Sequence, residues 1–531
     1  MKYSSRFPCN FIGRIRLVVT SVARPENLIT LTPLRLPREW PLAILFLAWM
    51  LNISSGQSPL ADTVELKNFK EAAEMIDQGL DVNANQPDGM TALHWAVYHD
   101  QRSLTQKLIR SKAEVNRKTR YGVAPLSLAC LNGNEELIAD LLEAGARVDE
   151  SLPGGESPLM TAARTGKLKA VQRLLESGAR VDDQEQHGQS ALIWAAAEGH
   201  AKVVMELIRY GADFRSPLAS GLTPLLLAAR NGHSNVVHVL LEKGADLNET
   251  VQAKSRPHKG APNGYSAILL AVENGHFSLA LELVEAGADP NDQRGGFAPL
   301  HVLSWVRKPN RGDGPDGDPP PHVRDKLTSL QFAKRLVQAG ADVNLSLDRG
   351  GSVYGIGRKG ATPFLLASST ADLDYLKLLI ELGADPKRYN EQGVTPLMAV
   401  AGVGTKAPTE EAGTEAEVLA TLDFLNQFEI DINAIDNRGN TAMHGAAYKN
   451  LPATVHWLAD HGATINDWLK TNKEGWTPIQ IAEGFRPGNF KPSPTTVAAF
   501  HEVLKQAGHK IPPLTSRKVL EDRKGYPPNG P

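Results

Sequence analysis

Apolar positions in residues 220–249, SGLTPLLLAARNGHSNVVHVLLEKGADLNE, fall on two helical stretches separated by a glycine turn. Thr223 and Pro224 predict a helix start, with a hydroxyl near the cap and a ring at the first position, where the missing N–H goes unused. Leu225, Ala228 and Ala229 make this helix short and slim, and Gly232 predicts its left-handed close. Val236, Val237, Leu240 and Leu241 then give a second helix buried along a broad face. Gly244 closes that helix, and Asp246 and Asn248 lead into a turn. Ahead of the pair, Gly221 supplies the positive φ of a tight turn. One such unit cannot bury its own apolar face, so it predicts copies of itself on either side.

The copies are present. A glycine followed two residues later by Thr, Ser or Ala and then Pro or Ala occurs at Gly89, Gly122, Gly155, Gly188 and Gly221, spaced by 33 residues each time. It continues at Gly264, Gly296, Gly360, Gly393, Gly439 and Gly475 with irregular gaps. A period of 33 residues with the pattern T-P-L-H-x-A is the ankyrin signature. Over roughly Leu60–Ile511 the chain resembles the ankyrin-repeat family, and more narrowly the exported ankyrin proteins of bacteria. The resemblance implies an all-α solenoid of about eleven repeats plus an N-terminal cap, with β-turn fingers projecting sideways. It also implies a binding scaffold without catalytic activity.

In chain order, Ala61–Asn85 reads as the opening cap, with a second-helix pattern and a glycine stop but no Thr-Pro start, and with Lys67, Lys70, Glu71 and Glu74 for a polar outer face. Five regular repeats follow. Beyond Glu249 the pattern is interrupted four times, at about 249–262, 307–325, 345–359 and 402–416. The first and third interruptions lengthen fingers, and the second and fourth separate the two helices of a repeat. The second, KPNRGDGPDGDPPPHVRDK, is rich in Gly, Pro and Asp and reads as irregular. Insertions in a repeat array map to loops on one face, often the binding face, and these carry Tyr354, Arg358 and Lys359 beside flexible glycines. The stretch 512–531 is charged and Pro-rich and reads as a disordered tail.

Charge narrows the classes of partner. The chain of 531 residues has a net charge of −2, which favours neither nucleic acid nor an anionic membrane. Two cysteines exclude a disulfide framework and a cysteine-based metal site, and Cys130 reads as a small buried hydrophobe. Residues 1–56 stand apart from the repeats. Lys2, Arg6, Arg14, Arg16, Arg24, Arg35 and Arg38 outnumber Glu26 and Glu39, and the apolar run Pro41–Ile53 follows. That run is short for a bilayer span, and Ser54, Ser55 and Gly56 come next, so the segment reads as an export signal cleaved after Gly56. An uncleaved membrane anchor is the alternative. In either case the repeats lie outside the cytoplasm, periplasmic or secreted.

Candidate chemistry is sparse. His94, His301 and His444 stand at the His of T-P-L-H, where the resemblance implies a role in helix capping, and His200, His233 and His276 follow the glycine that ends a first helix. No H-E-x-x-H, no GxxxxGK[ST] and no G-x-S-x-G occurs. Asp313, Asp316 and Asp318 lack EF-hand spacing and a closing Glu, so no metal and no cofactor is expected. The positions that the family uses for partners are finger tips and the concave ends of first helices. They hold Tyr98, His99, Arg120, Tyr121, Arg164, Arg230, Tyr265, Trp305, Arg358, Tyr448 and Trp476. Tyr, Trp and Arg dominate binding energy at interfaces, and Trp305 ends a first helix just before the largest insertion. The reading is a protein-binding scaffold whose specificity lies in the second half. The alternative is a small-molecule or glycan receptor, or an enzyme, with a pocket roofed by the insertions and lined by Trp305.

Overall fold

The computed structural model describes residues 58–254, 262–309, 325–353, 356–408, 411–485 and 492–514. The export segment, Tyr354, the Asp313–Asp318 stretch and most of the proposed tail therefore lie outside the described residues. The chain divides into two compact units, Met1–Arg147 and Val148–Pro531.

The first unit contains three helix pairs among the described residues: α1 (Pro59–Glu65) with α2 (Phe69–Asp77), α3 (Ala92–Tyr98) with α4 (Arg102–Arg110), and α5 (Pro125–Asn132) with α6 (Glu135–Glu143). Small side chains let the first helices stack closely. Ala61, Ala96 and Ala129 are fully buried between neighbours, and Cys130 is buried with them. The structure corrects the reading of the opening segment as half a repeat. Ser58 and Pro59 are themselves a start signal: the Ser58 hydroxyl accepts from the Ala61 N–H and Pro59 takes the first turn. Ser58 is fully buried and donates to the Ala84 carbonyl at 3.0 Å.

The second unit continues the same pairing: α7 (Pro158–Arg164) with α8 (Leu168–Glu176), α9 (Ala191–Glu198) with α10 (Ala201–Arg209), α11 (Pro224–Asn231) with α12 (Ser234–Glu242), and α13 (Ala267–Glu273) with α14 (Phe277–Glu285). Then come α15 (Pro299–Arg307) with α16 (Ser329–Gln338), α17 (Pro363–Ser369) with α18 (Leu373–Glu381), and α19 (Pro396–Ala401) with α20 (Glu415–Leu425). The last are α21 (Ala442–Lys449) with α22 (Pro452–Asp460), a one-turn α23 (Ile465–Trp468), and α24 (Pro478–Ala482) with α25 (Pro494–Gln506). The expected all-α architecture of stacked pairs is what each unit shows. In residues 220–249, Val236, Val237 and Leu240 are buried, whereas Leu241 is only half-buried at the helix edge.

Three kinds of contact tie one repeat to the next within a unit. At the finger bases, Asn344 donates to the Gly383 carbonyl at 2.9 Å and accepts from the Asp385 N–H at 2.8 Å, and Asn291 and Asn433 repeat the arrangement. Between finger tips, the N–H groups of Glu391, Asn437 and Lys473 donate to Lys359, Gln392 and Arg438 carbonyls at 2.7–3.0 Å. At the first-helix ends, an imidazole covers the glycine of the repeat before it. A Cβ on Gly166, Gly199 or Gly232 would come within 2.4–2.5 Å of the ring of His200, His233 or His276. The Nε2 of each ring bonds a first-helix carbonyl of the preceding repeat, at Arg164, Ala197 and Arg230, over 2.9–3.1 Å.

The described parts of the insertions are fastened to these repeats. The first forms a short bridge between Thr250 and Ser266. The third is a hairpin, β1 (Ser352–Val353) with β2 (Ile356–Gly357), whose Gly357 bonds Gln392 and Asn390 of the next finger. Asp325, at the far end of the second, accepts from Ser278 on α14. In the fourth, the Ala412 carbonyl accepts from the Lys449 ammonium at 2.7 Å.

Candidate functional site

Three of the expected contact residues, Tyr265, Trp305 and Arg358, come together in the second unit although they belong to three repeats. Phe297 joins them from the finger that precedes α15. The Phe297 and Trp305 rings meet edge to face, centroids 4.9 Å apart and planes at 74°. The Arg358 guanidinium carbon lies 4.7 Å above the Phe297 ring, a cation–π arrangement. Tyr265 lies beneath, pressed against the bare backbone of Gly295, where a Cβ would come within 2.4 Å of its ring. Glu273, the last residue of α13, hydrogen-bonds the side chains of both Trp305 and Tyr265. Burial in this aromatic setting raises its pKa to about 6 in spite of those two bonds.

Burial also corrects two of the expected contacts. Tyr265 is 2% exposed and Tyr448 8%, so neither offers area to a partner. Tyr265 supports the rings above it. Tyr448 accepts from the Asn472 amide at 3.0 Å, and burial pushes its phenol up to about 12. Gly295 leaves room for the Tyr265 ring, and Tyr448 is buried beside Asn472, neither of which residue type alone reveals.

The remaining residues are spread along both units. Tyr98 and His99 are half-buried against Trp95, with centroid separations of 5.7 Å in both cases. Arg120 and Tyr121 are exposed on a finger, where the Arg120 N–H donates to the Asp88 carbonyl at 2.7 Å. Arg164 pairs with Glu156 at 3.1 Å and lies 5.7 Å over Trp194, a second, smaller aromatic–arginine site. Arg230 is half-buried, its Nε 3.4 Å from Asn231 Oδ1. Trp476 is half-buried, and its main chain bonds Asn472. Phe297, Glu273 and Trp194 were absent from the expected set. Phe297 has a readable signal, since it directly follows its marker glycine as Tyr265 does. Trp194 matches Trp95 in the paired strings ALIWA and ALHWA.

The signature histidines are structural. The Thr91 N–H donates to His94 Nδ1 at 3.2 Å, and His94 Nε2 donates to the Val123 carbonyl at 3.1 Å. The ring is thus neutral with its proton on Nε2, and burial lowers its pKa to about 4. His301 and His444 are lowered to about 4 for the same first reason. Among the described residues, no group of three or more His, Cys, Asp or Glu is arranged to hold a metal ion. No helix among them is long and apolar enough to cross a membrane. Two open hollows lie between fingers, of about 440 and 340 Å³, one beside Lys387, Arg388 and Tyr389 and the other beside Asp289, Arg294 and Asp348. Trp305 lines neither.

Comparison with known proteins matches these repeats to ankyrin repeats. A three-copy ankyrin family model matches residues 60–152, 101–185 and 159–251, and a single ankyrin-repeat model matches 263–294. The RelA-associated inhibitor of Mus musculus is 29% identical over 123 residues, covering 23% of this chain and 13% of that protein. Neurogenic locus notch homolog protein 1 of Homo sapiens is 31% identical over 162 residues, covering 30% of this chain and 5% of that protein. The chain therefore spans only a small fraction of the length of these curated relatives. The human ASB11 ankyrin repeat domain is similar at 27% identity and a TM-score of 0.38, covering 44% of this chain and all of that one.

Proposed function

We propose that this ankyrin-repeat chain is a non-enzymatic scaffold that binds a protein partner through its first-helix face, with Phe297, Trp305 and Arg358 as the anchor. The observation that carries the reading is the convergence of these side chains from separate repeats. Trp305 and Arg358 are of the types that dominate interface energy, and a partner would find the cluster already ordered, which lowers the entropy lost on binding. The mouse relative is named as associated with RelA, which fits a binding role for repeats of this kind. The hydrogen bonds that fasten the insertions support placing specificity in the second half of the chain. The test is affinity capture from native extract with wild type and a Trp305→Ala, Arg358→Ala double variant of equal thermal stability. The wild type is expected to retain partners that the variant loses. Recovery of the same partners by both would reject the anchor.

Export is the second part of the proposal, with cleavage after Gly56. The basic stretch, the apolar run and the small residues support it, and the cut would leave Ser58, the buried cap of α1, in place. Intact-mass measurement of the mature chain is expected to give an N-terminus at Gln57. A start upstream of Leu51 would overturn it.

A further inference from the structure

The chemistry of the anchor points to one kind of partner group, an inference that rests on the binding role proposed for this cluster. Arg358 is held rather than loose. The Gly350 carbonyl accepts from its Nη2 at 2.8 Å and from its Nε at 3.3 Å, while the guanidinium carbon lies 4.7 Å from the centre of the Phe297 ring. The turn at Gly296 is so close that a Cβ there would sit 3.2 Å from Nη1. Thus Nε and one N–H of Nη2 are committed, and Nη1 donates to no described residue.

Its charge is uncompensated locally. Four cations on the same insertion-bearing stretch hold a carboxylate: Arg294 with Asp292, Arg307 with Asp372, Lys308 with Glu417 and Lys359 with Glu391. Among the described residues Arg358 forms no ion pair. Glu273, the carboxyl nearest the cluster's rings, is engaged by Trp305 and Tyr265 instead. A guanidinium against aromatic rings feels less water than one in bulk, so an arriving anion is bound more strongly there. Nη1 and the second N–H of Nη2 remain as a planar pair of donors, a geometry that suits a carboxylate. The half-buried Phe297 and Trp305 rings adjoin it and offer an apolar wall.

We infer that Arg358 receives an Asp or Glu side chain from the partner, within a segment whose adjoining apolar residue packs on Phe297 and Trp305. The charge of the site is complementary to an acidic segment and opposed to a basic one.

The test is selection from a library of random peptides of about twelve residues, displayed through their C-terminal ends so that no free terminal carboxylate is offered. The bait is the full chain as wild type, Arg358→Gln, Arg358→Lys and Trp305→Ala, each checked by thermal melting. Glutamine can still donate to the Gly350 carbonyl, so the hairpin is retained while the charge is lost. Wild type is expected to enrich Asp or Glu beside a large apolar residue. A synthetic peptide from that pool should bind Arg358→Gln about tenfold or more weakly, since charged hydrogen bonds are the strong ones. Arg358→Lys should fall between, and affinity should drop with salt. Selected peptides without acidic enrichment, or an unchanged pool on Arg358→Gln, overturn the carboxylate inference. If those peptides still require Trp305, the anchor itself stands. A pool indifferent to Trp305→Ala, or no enrichment at all, overturns both. A preference only for peptides with a free C-terminus, offered in a second display format, replaces the side chain by a terminal carboxylate and overturns the inference as stated.

Discussion

Replacing Asp372 by alanine is expected to destabilise the second unit by about 3–5 kcal/mol, the usual cost of removing one partner from a buried ion pair. Asp372 and Arg307 have side chains only 3% and 14% exposed. Their fork is bidentate, with Arg307 Nε and Nη2 donating at 2.6 and 2.9 Å. The remaining Arg307 nitrogen, Nη1, donates to the Ser329 hydroxyl at 2.6 Å. Asp372 has a second duty, because its carboxylate caps α18 by accepting from the Tyr375 N–H at 3.3 Å. Tyr375 in turn donates to the Leu300 carbonyl at 2.8 Å, under the Arg307 guanidinium at 5.6 Å from its ring. Alanine therefore removes a cap and strands a cation in a site built around its partner. Asp372→Asn keeps the cap and should lose less. Urea unfolding followed with hydrogen exchange resolves the change to α15–α18, which matters because repeat arrays open locally. A loss below about 1 kcal/mol for Asp372→Ala would show the pair to be hydrated and dispensable.

Gly445→Ala is expected to destabilise by about 2–3 kcal/mol, the scale of overpacking a filled interior. The sign is the reverse of what helix propensity dictates. Gly445 lies inside α21, where alanine normally gains about 1 kcal/mol. Here a Cβ would stand 2.6 Å from the Val403 nitrogen and 3.0 Å from the Ala401 carbonyl carbon. Those are main-chain atoms, with no rotamer to step aside. Across the contact Gly402 closes α19 at φ +111°, and its own added Cβ would meet the Gly445 oxygen at 2.6 Å. Two bare backbones thus touch where the fourth insertion leaves the stack. Thermal melting of Gly445→Ala beside an alanine substitution at exposed Glu381 on α18 would separate crowding from propensity. A rise in Tm at Gly445 would refute the contact.

The repeats were legible because their information is local. Glycine markers, Thr-Pro starts and helical periodicity each sit within a few residues, and Thr223, Pro224 and Gly232 do in the fold what their types predict. Ser58 and Pro59 show the limit of a template: the same start signal lies ahead of the 33-residue period, where the template does not reach. The anchor was half legible. Trp305 and Arg358 stood out by type and position, but that Arg358 lies on Phe297 follows from how the hairpin folds back, which pairing across 61 positions does not encode in any short pattern. Tyr448 and Tyr265 misled because exposure is decided by residues opposite them. The Arg307–Asp372 pair spans two insertions, so no periodicity could join its members.

The imidazoles that cover the preceding glycines have a bearing on where this chain can be cut. Each lid comes from the C-terminal neighbour, so the dependence between repeats has a direction. A fragment that stops at Gly199 or Gly232 loses the next residue, His200 or His233, so it uncovers Gly166 or Gly199 in the repeat before as well as its own last helix end. A fragment beginning at a repeat start loses no lid at all, only the carbonyl that its first imidazole would have bonded. Shortening from the front therefore leaves a sealed edge, and shortening from the back leaves an open one, so excised pieces for crystallisation or binding work should end on a borrowed histidine turn rather than on a glycine.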